Sequence, residues 1–91
     1  MIDYKSMFEG EDAQDVFLYL SARDEKGISH PHLDRYCTSL SNGRISNIDV
    51  IVLVRIMIEE GLIESNSKGG YKKGPYWREP RFMTEGKYGI K

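Results

Sequence analysis

The stretch from residue 48 to residue 58 constrains the fold of this chain more than any other. Nine of its eleven residues are apolar, and seven of those are β-branched. Because β-branched residues favour strands, a buried strand is one interpretation. The run is long for a strand, however, and Asp49 and Arg55 interrupt it. Glu59-Glu60-Gly61 is also typical of a helix end with a terminal glycine. We therefore predict a helix that begins at Ser46, a favourable N-cap.

Two further helices are predicted upstream. Acidic residues suit the first turn of a helix, and Val16, Phe17 and Leu20 share one face, which predicts a helix over about 11–23. Ser29 and Pro31 then give the signature of a second helix start. Four apolar residues follow at helical spacing, which predicts a helix over about 30–40: Leu33, Tyr36, Cys37 and Leu40.

The two ends of the chain are predicted to be less regular. Residues 1–10 show little periodicity, so we expect an N-terminal arm ahead of one domain over 11–91. Residues 62–65 are predicted to form a strand that leaves the third helix. Residues 66–80 are predicted to form a glycine-rich loop, and residues 81–84 a returning strand with Phe82 in the core.

Composition excludes several classes of protein. The 91 residues are 40% apolar and 30% charged, which fits a soluble globular domain rather than a disordered chain. We expect a cytoplasmic protein, because no apolar run could span a membrane and the first residues do not resemble a signal peptide. The single cysteine, Cys37, excludes an internal disulfide, and His30-Pro31-His32 lacks zinc-site spacing. We expect no enzyme activity, no metal and no cofactor, since catalytic motifs are missing too.

The net charge of −1 conceals an uneven distribution. Residues 1–34 carry three basic and eight acidic side chains, a net of −5, and residues 35–91 carry ten basic and six acidic, a net of +4. This uneven charge distribution has two interpretations. It is either a dipolar surface without a functional role, or it indicates that residues 35–91 bind a negatively charged partner.

The predicted order of elements resembles a winged helix-turn-helix domain. Residues 15–21 are similar to its first helix and residues 27–29 to the entry of its second. Residues 57–64, MIEEGLIE, are similar to the junction where the third helix leads into the wing. Residues 82–86 are a weaker match to the segment after the wing. The resemblance covers about residues 13–86. It implies an α+β fold, mainly α, with three helices and a two- or three-stranded β wing.

The resemblance also implies a small transcriptional regulator that binds double-stranded DNA as a dimer. In the wing, cations that could pair with phosphates alternate with aromatic residues that could contact nucleotides or, alternatively, fill the core. The start of the third helix would approach base edges, although helix capping is the alternative role of Ser46. The predicted DNA-contacting residues are Asn42, Arg44, Ser46, Asn47, Lys68, Lys72, Lys73, Arg78 and Arg81.

The third helix departs from the pattern of a DNA-reading helix. Its core face is predicted to hold Val50, Ile51, Leu53, Val54, Met57 and Ile58. Ile48, Val52 and Ile56 fall on the opposite side, where a DNA-reading helix normally carries polar residues. Exposed apolar patches often mark interfaces. The N-terminal arm, a second copy or another protein could cover this stripe. The alternative function is therefore a winged-helix module for protein–protein interaction.

Overall fold

The structure, a computed structural model, describes residues 2–41 and 43–90. Over these residues five α-helices and three strands follow one another, and a 3-10 helix at Lys87–Gly89 comes after them. The elements are α1 (Tyr4–Gly10), α2 (Ala13–Ala22), β1 (Ile28–Ser29), α3 (His30–Leu40), α4 (Asn47–Glu59), β2 (Ile63–Ser65), β3 (Gly70–Lys73) and α5 (Arg81–Thr84). The predicted α+β, mainly helical class is confirmed.

The strands form an antiparallel sheet in the order β1-β3-β2. Ser29 of β1 lies opposite Gly70, and Glu64 of β2 lies opposite Lys72. A Cβ atom at position 70 would lie 2.3 Å from the carbonyl oxygen of Ile28. The strand β1 can therefore pair here because this position is a glycine.

The predicted start and end of α4 are confirmed. The Ser46 hydroxyl accepts a hydrogen bond from the Asp49 N–H at 3.2 Å, and the Asp49 carboxylate accepts one from the Ser46 N–H at 2.9 Å. These two bonds form a complete capping box. Gly61 follows the helix with φ of +77°, a left-handed conformation that favours glycine. The strand interpretation of the apolar run is therefore wrong.

The N-terminal residues are not an irregular arm. From Tyr4 to Gly10 they form α1, which the Asp3 side chain caps by accepting a hydrogen bond from the Ser6 N–H. Met7 and Phe8 are buried in the core, and α1 packs against α2, α3 and the 3-10 helix. A helix of seven residues is too short to show a clear apolar period, which is why the sequence predicted an arm.

The predicted hairpin is correct in its first strand and wrong in its second. The chain returns at once as β3, since the Asn66 side chain closes a short turn by accepting hydrogen bonds from the N–H groups of Lys68 and Gly70. Residues 81–84 form α5 instead of a strand. Phe82 is buried as predicted, and its ring meets Tyr19 edge-on at 6.0 Å between centroids.

Candidate functional site on the exposed face of α4

The helix α4 presents apolar side chains to the core and to solvent. Val50, Val54 and Met57 are buried. On the outer side, five β-branched residues keep large exposed fractions: Ile48 71%, Ile51 48%, Val52 51%, Ile56 45% and Ile58 36%. We call these five residues the α4 face. The predicted exposure of Ile48, Val52 and Ile56 is confirmed.

Two members of the α4 face were expected in the core. Ile51 and Ile58 border an open groove between α4 and the sheet, to which Ser65 and Tyr71 also contribute. The strands β2 and β3 have three and four residues, so the sheet ends before it can cover this side of the helix. Helical periodicity alone could not reveal how far the neighbouring sheet extends.

The α4 face is not covered by the N-terminal residues that the structure describes. Helix α1 inserts Met7 and Phe8 between other elements instead. The alternative in which this segment folds across Ile48, Val52 and Ile56 is therefore wrong. A second copy of the chain and a different protein remain as predicted partners for this surface.

Two of the predicted DNA contacts at the start of α4, Arg44 and Ser46, take part in hydrogen bonds within the fold. Asn42 lies outside the described residues. The guanidinium of Arg44 donates from Nε to the Ser41 carbonyl oxygen at 3.1 Å and from a terminal nitrogen to the Phe8 carbonyl oxygen. Arg44 thus joins the loop before α4 to α1. The Ser46 hydroxyl caps the helix, and Asn47 is exposed in the first turn.

An acidic group also occupies this end of α4. The capping hydrogen bonds from Ser46 hold the pKa of the Asp49 carboxyl below its usual value, so this group is charged at neutral pH. Phosphates and base edges at the end of a reading helix are normally met by cationic or neutral polar side chains. Asp49 therefore disfavours insertion of this helix into a DNA groove.

The predicted wing cations are spread over several elements. Lys68 is exposed at the hairpin turn, Lys72 pairs with Glu64 at 3.6 Å, and the Lys73 Nζ lies 4.2 Å from the centroid of the Trp77 ring. Arg78 instead contacts Asp15 of α2 at 3.2 Å, and Arg81 contacts Glu85 at 3.5 Å. Exposed ion pairs are worth about 0–1 kcal/mol, so a phosphate could compete for these cations.

Most aromatic residues that were candidates for nucleotide contact serve the fold. The Trp77 indole donates a hydrogen bond to the Leu18 carbonyl oxygen at 2.9 Å. The Tyr71 hydroxyl lies 2.8 Å from Nδ1 of His30. The Tyr88 hydroxyl donates to Glu11 at 2.5 Å, and this bond raises the pKa of Tyr88 to about 12. Tyr76 differs, because 73% of it is exposed.

The structure adds Lys26 to two lysines, Lys68 and Lys72, that the sequence had already placed together in the wing. Lys26 joins Lys68 and Lys72 around a shallow groove beside the hairpin turn, where Glu25 also lies. Lys26 precedes β1, and pairing of β1 with β3 brings it to the hairpin. The sequence carries no local signal for this grouping, because Lys26 and Lys68 are brought together by the pairing of distant strands.

The histidines and the cysteine lie in separate environments. His30 contacts Tyr71, His32 stacks on Tyr36 with 4.7 Å between ring centroids, and Cys37 is buried. Over residues 2–41 and 43–90, His, Cys, Asp and Glu side chains form no group of three that could hold a metal ion. In that same part of the chain, every helix is too short or too polar to cross a membrane.

Comparison of the chain with protein-family models, with curated proteins and with solved structures finds no match. Function must therefore be argued from the surfaces themselves. Two surfaces stand out in the described residues, the apolar α4 face and the lysines beside the hairpin turn. Their chemistry differs, since the first favours contact with apolar side chains and the second favours contact with anions.

Proposed function

We propose that this protein is a winged helix-turn-helix module that binds another protein chain through the α4 face. The exposure of five β-branched aliphatic side chains on one helix carries the proposal. Full burial of an exposed aliphatic side chain contributes about 1.5–3 kcal/mol. These five side chains are 36–71% exposed, so a partner that covers them gains a part of that free energy from each one. The proposal requires no catalytic residue, metal or cofactor.

The winged-helix assignment is supported by the order of the elements. The series α2, β1, α3, α4, β2, β3 and the sheet order β1-β3-β2 agree with the arrangement that the sequence resembles. In this assignment α4 is the third helix of the motif, and β2 and β3 form the wing. Helices α1 and α5 are additions before and after the motif.

The position of the α4 face argues for a protein partner over DNA at this helix. The third helix of a DNA-binding winged helix presents polar side chains to base edges. Here the corresponding surface is formed by Ile48, Val52 and Ile56, with Asp49 beside them. A duplex docked on it would lose the hydration of its polar base edges and would gain no hydrogen bonds from these apolar side chains in return.

The experiment compares photocrosslinking of three versions of the full chain in a lysate of the source cells. A photoreactive residue replaces Asn47 in wild type, in Val52→Asp and in Ser39→Asp. Ser39 is exposed on α3 and is not one of the five residues of the α4 face, so Ser39→Asp controls for the added charge. We expect one crosslinked product with wild type and with Ser39→Asp, and its loss with Val52→Asp.

Circular dichroism and the melting temperature are measured for the same three samples, so that loss of the product is not caused by unfolding. An identical set of crosslinked products in all three samples would overturn the proposal.

The free thiol of Cys37 is compatible with a reducing compartment, and we propose that the module acts in the cytoplasm.

A second candidate function is binding of double-stranded DNA by the wing, as a transcriptional regulator. The three lysines around the hairpin turn, Lys26, Lys68 and Lys72, favour it. If they contact about three phosphates, the affinity for duplex DNA should fall about 40-fold between 50 and 200 mM salt. Fluorescence anisotropy with a random duplex measures this slope.

The two candidate functions respond to different substitutions. Lys68→Glu together with Lys72→Glu should abolish DNA binding and spare the crosslink through the α4 face. Val52→Asp should have the reverse effects. DNA binding that is unaffected by the lysine substitutions, or no binding at low salt, would exclude the wing as a DNA contact.

A further inference from the structure

We propose that the α4 face binds a second copy of this chain, across a two-fold axis that passes close to Val52. The inference rests on the proposed function, because it names the partner of the same surface. It predicts a homodimer held by α4 of each copy.

Five exposed side chains of α4 are arranged symmetrically about Val52, whereas Ile51 and Ile58 lie on the flank of Arg55 without a counterpart. Ile48 and Ile56 lie four residues before and four residues after it, and all three are exposed. Asp49 and Arg55 lie three residues before and three residues after it, and they carry opposite charges. In a two-fold interface each contact occurs twice with the partners exchanged. A surface with apolar groups and opposite charges at equal distances from its centre is therefore complementary to itself.

The two charges also fix how the helices would cross. Around the helix, Asp49 and Arg55 lie about 60° to either side of Val52, on opposite flanks of the apolar stripe. If the two helices lay side by side and antiparallel, the same flank of each helix would meet. The Asp49 side chains of both copies would then lie on the same side of the interface, apart from both Arg55 side chains. At a steep crossing angle, a two-fold axis at Val52 brings Asp49 of each copy to Arg55 of the other. We therefore expect crossed helices.

Both charges are available for such contacts. In the described part of the chain, the ion pairs involve other residues, and neither Asp49 nor Arg55 takes part in one. In the same residues the Asp49 carboxylate accepts one hydrogen bond, from the Ser46 N–H, and Arg55 is exposed. Glu59 and Glu60 lie seven and eight residues after Val52, at the end of the helix and beyond the two expected ion pairs.

The composition of the surface favours a second copy over a partner of one charge sign. An acidic partner would place negative charge against Asp49, and a basic partner would place positive charge against Arg55. Either partner would therefore bring like charges together beside the apolar centre. A second copy pairs both. The arrangement also has the anatomy of a protein interface, with apolar side chains at the centre and charged residues around them.

The test is the molar mass of the full chain by sedimentation and light scattering, over protein concentrations of about 1–100 μM. The chain has a mass of 10.5 kDa, so a dimer has twice this value. We expect dimer for wild type and for Ser39→Asp, and monomer for Val52→Asp. A wild-type protein that stays monomeric at the highest concentration would overturn the inference.

Charge exchange tests the symmetry itself. In a dimer of Asp49→Arg, two cations meet at each position where wild type has an ion pair. In a dimer of Arg55→Asp, two anions meet there. Each variant alone should therefore dimerise at least about 10-fold more weakly than wild type. Mixed together, the two variants restore both opposite-charge pairs, and we expect a heterodimer of about wild-type affinity. If the mixture is no stronger than either variant alone, the proposed axis is wrong.

A disulfide at the axis serves as the second measurement, since Asp49→Arg also removes the capping carboxylate. Val52→Cys should form a crosslinked dimer with oxidised glutathione, whereas Ser39→Cys should not, and the buried Cys37 does not compete. Equal crosslinking of both variants would overturn the inference. The wild-type chain could be monomeric and still give a photocrosslink from position 47 to another protein, lost in Val52→Asp. That result would refute the homodimer and support the proposed function.

Discussion

The indole nitrogen of Trp77 donates a hydrogen bond to the main-chain oxygen of Leu18 at 2.9 Å, across 59 residues of sequence. The ammonium group of Lys73 lies 4.2 Å from the centroid of the same ring. These contacts attach the segment after the hairpin to α2, the helix at the centre of the core. The tryptophan therefore stabilises the fold, and its ring is not free to stack on a nucleotide.

Trp77→Phe should lower the free energy of unfolding by about 1–2 kcal/mol, because it removes the donor to Leu18 and leaves most of the ring contact. Urea denaturation followed by circular dichroism measures this change. Tyr76→Phe is the matched control, since Tyr76 is 73% exposed, and it should change the free energy by less than about 0.5 kcal/mol. Equal effects of the two substitutions would contradict the structural role of Trp77.

Phe8→Ala should destabilise the protein by about 3–5 kcal/mol, because Phe8 is buried in the core although it precedes the predicted domain. Lys5→Ala lies on the exposed side of the same helix and should have almost no effect. Thermal and urea unfolding of both variants measure the difference. A neutral Phe8→Ala would mean that residues 4–10 behave as the arm that the sequence suggested.

Asp49 should contribute to stability in a pH-dependent manner. The hydrogen bonds from Ser46 lower the pKa of this carboxyl below its usual value of 3.8 in the folded state. A carboxyl of this kind stabilises the fold above its unfolded pKa, and the contribution is lost as the pH falls through the folded pKa. The difference in free energy of unfolding between wild type and Asp49→Asn should therefore shrink between about pH 5 and pH 2.

Urea denaturation at a series of pH values measures this difference. Glu60→Gln, at the other end of α4, controls for the loss of one negative charge. A difference between wild type and Asp49→Asn that stays constant over this range would show that the capping box does not depend on the charge of Asp49.

Cys37 should react slowly in the native protein. Burial is the main cause that raises the pKa of the thiol to about 12, and the nearby negative charge of Asp34 adds to it. At neutral pH the thiol is therefore protonated, and its burial keeps reagents away from it. We expect Ellman's reagent to label Cys37 orders of magnitude more slowly in buffer than in concentrated urea. Fast labelling of the folded chain would place Cys37 at the surface.

Helices that carry strong local signals were predictable from the sequence. Ser29 and Ser46 accept hydrogen bonds from N–H groups of their own first turns, and Gly61 adopts a positive φ at its own position. These features depend on residues a few positions apart, so pattern and capping rules predicted α3 and α4 and the exposure of Ile48, Val52 and Ile56.

Contacts between residues that are far apart in the sequence are visible only in the folded chain. The exposure of Ile51 and Ile58 follows from the short sheet beside α4, and the burial of Phe8 follows from the docking of α1. Arg44 is held by the Phe8 carbonyl oxygen, 36 residues away, and Trp77 is held by Leu18. Such contacts form only when the whole chain has folded, because no local period or spacing records which distant backbone group will meet a given side chain.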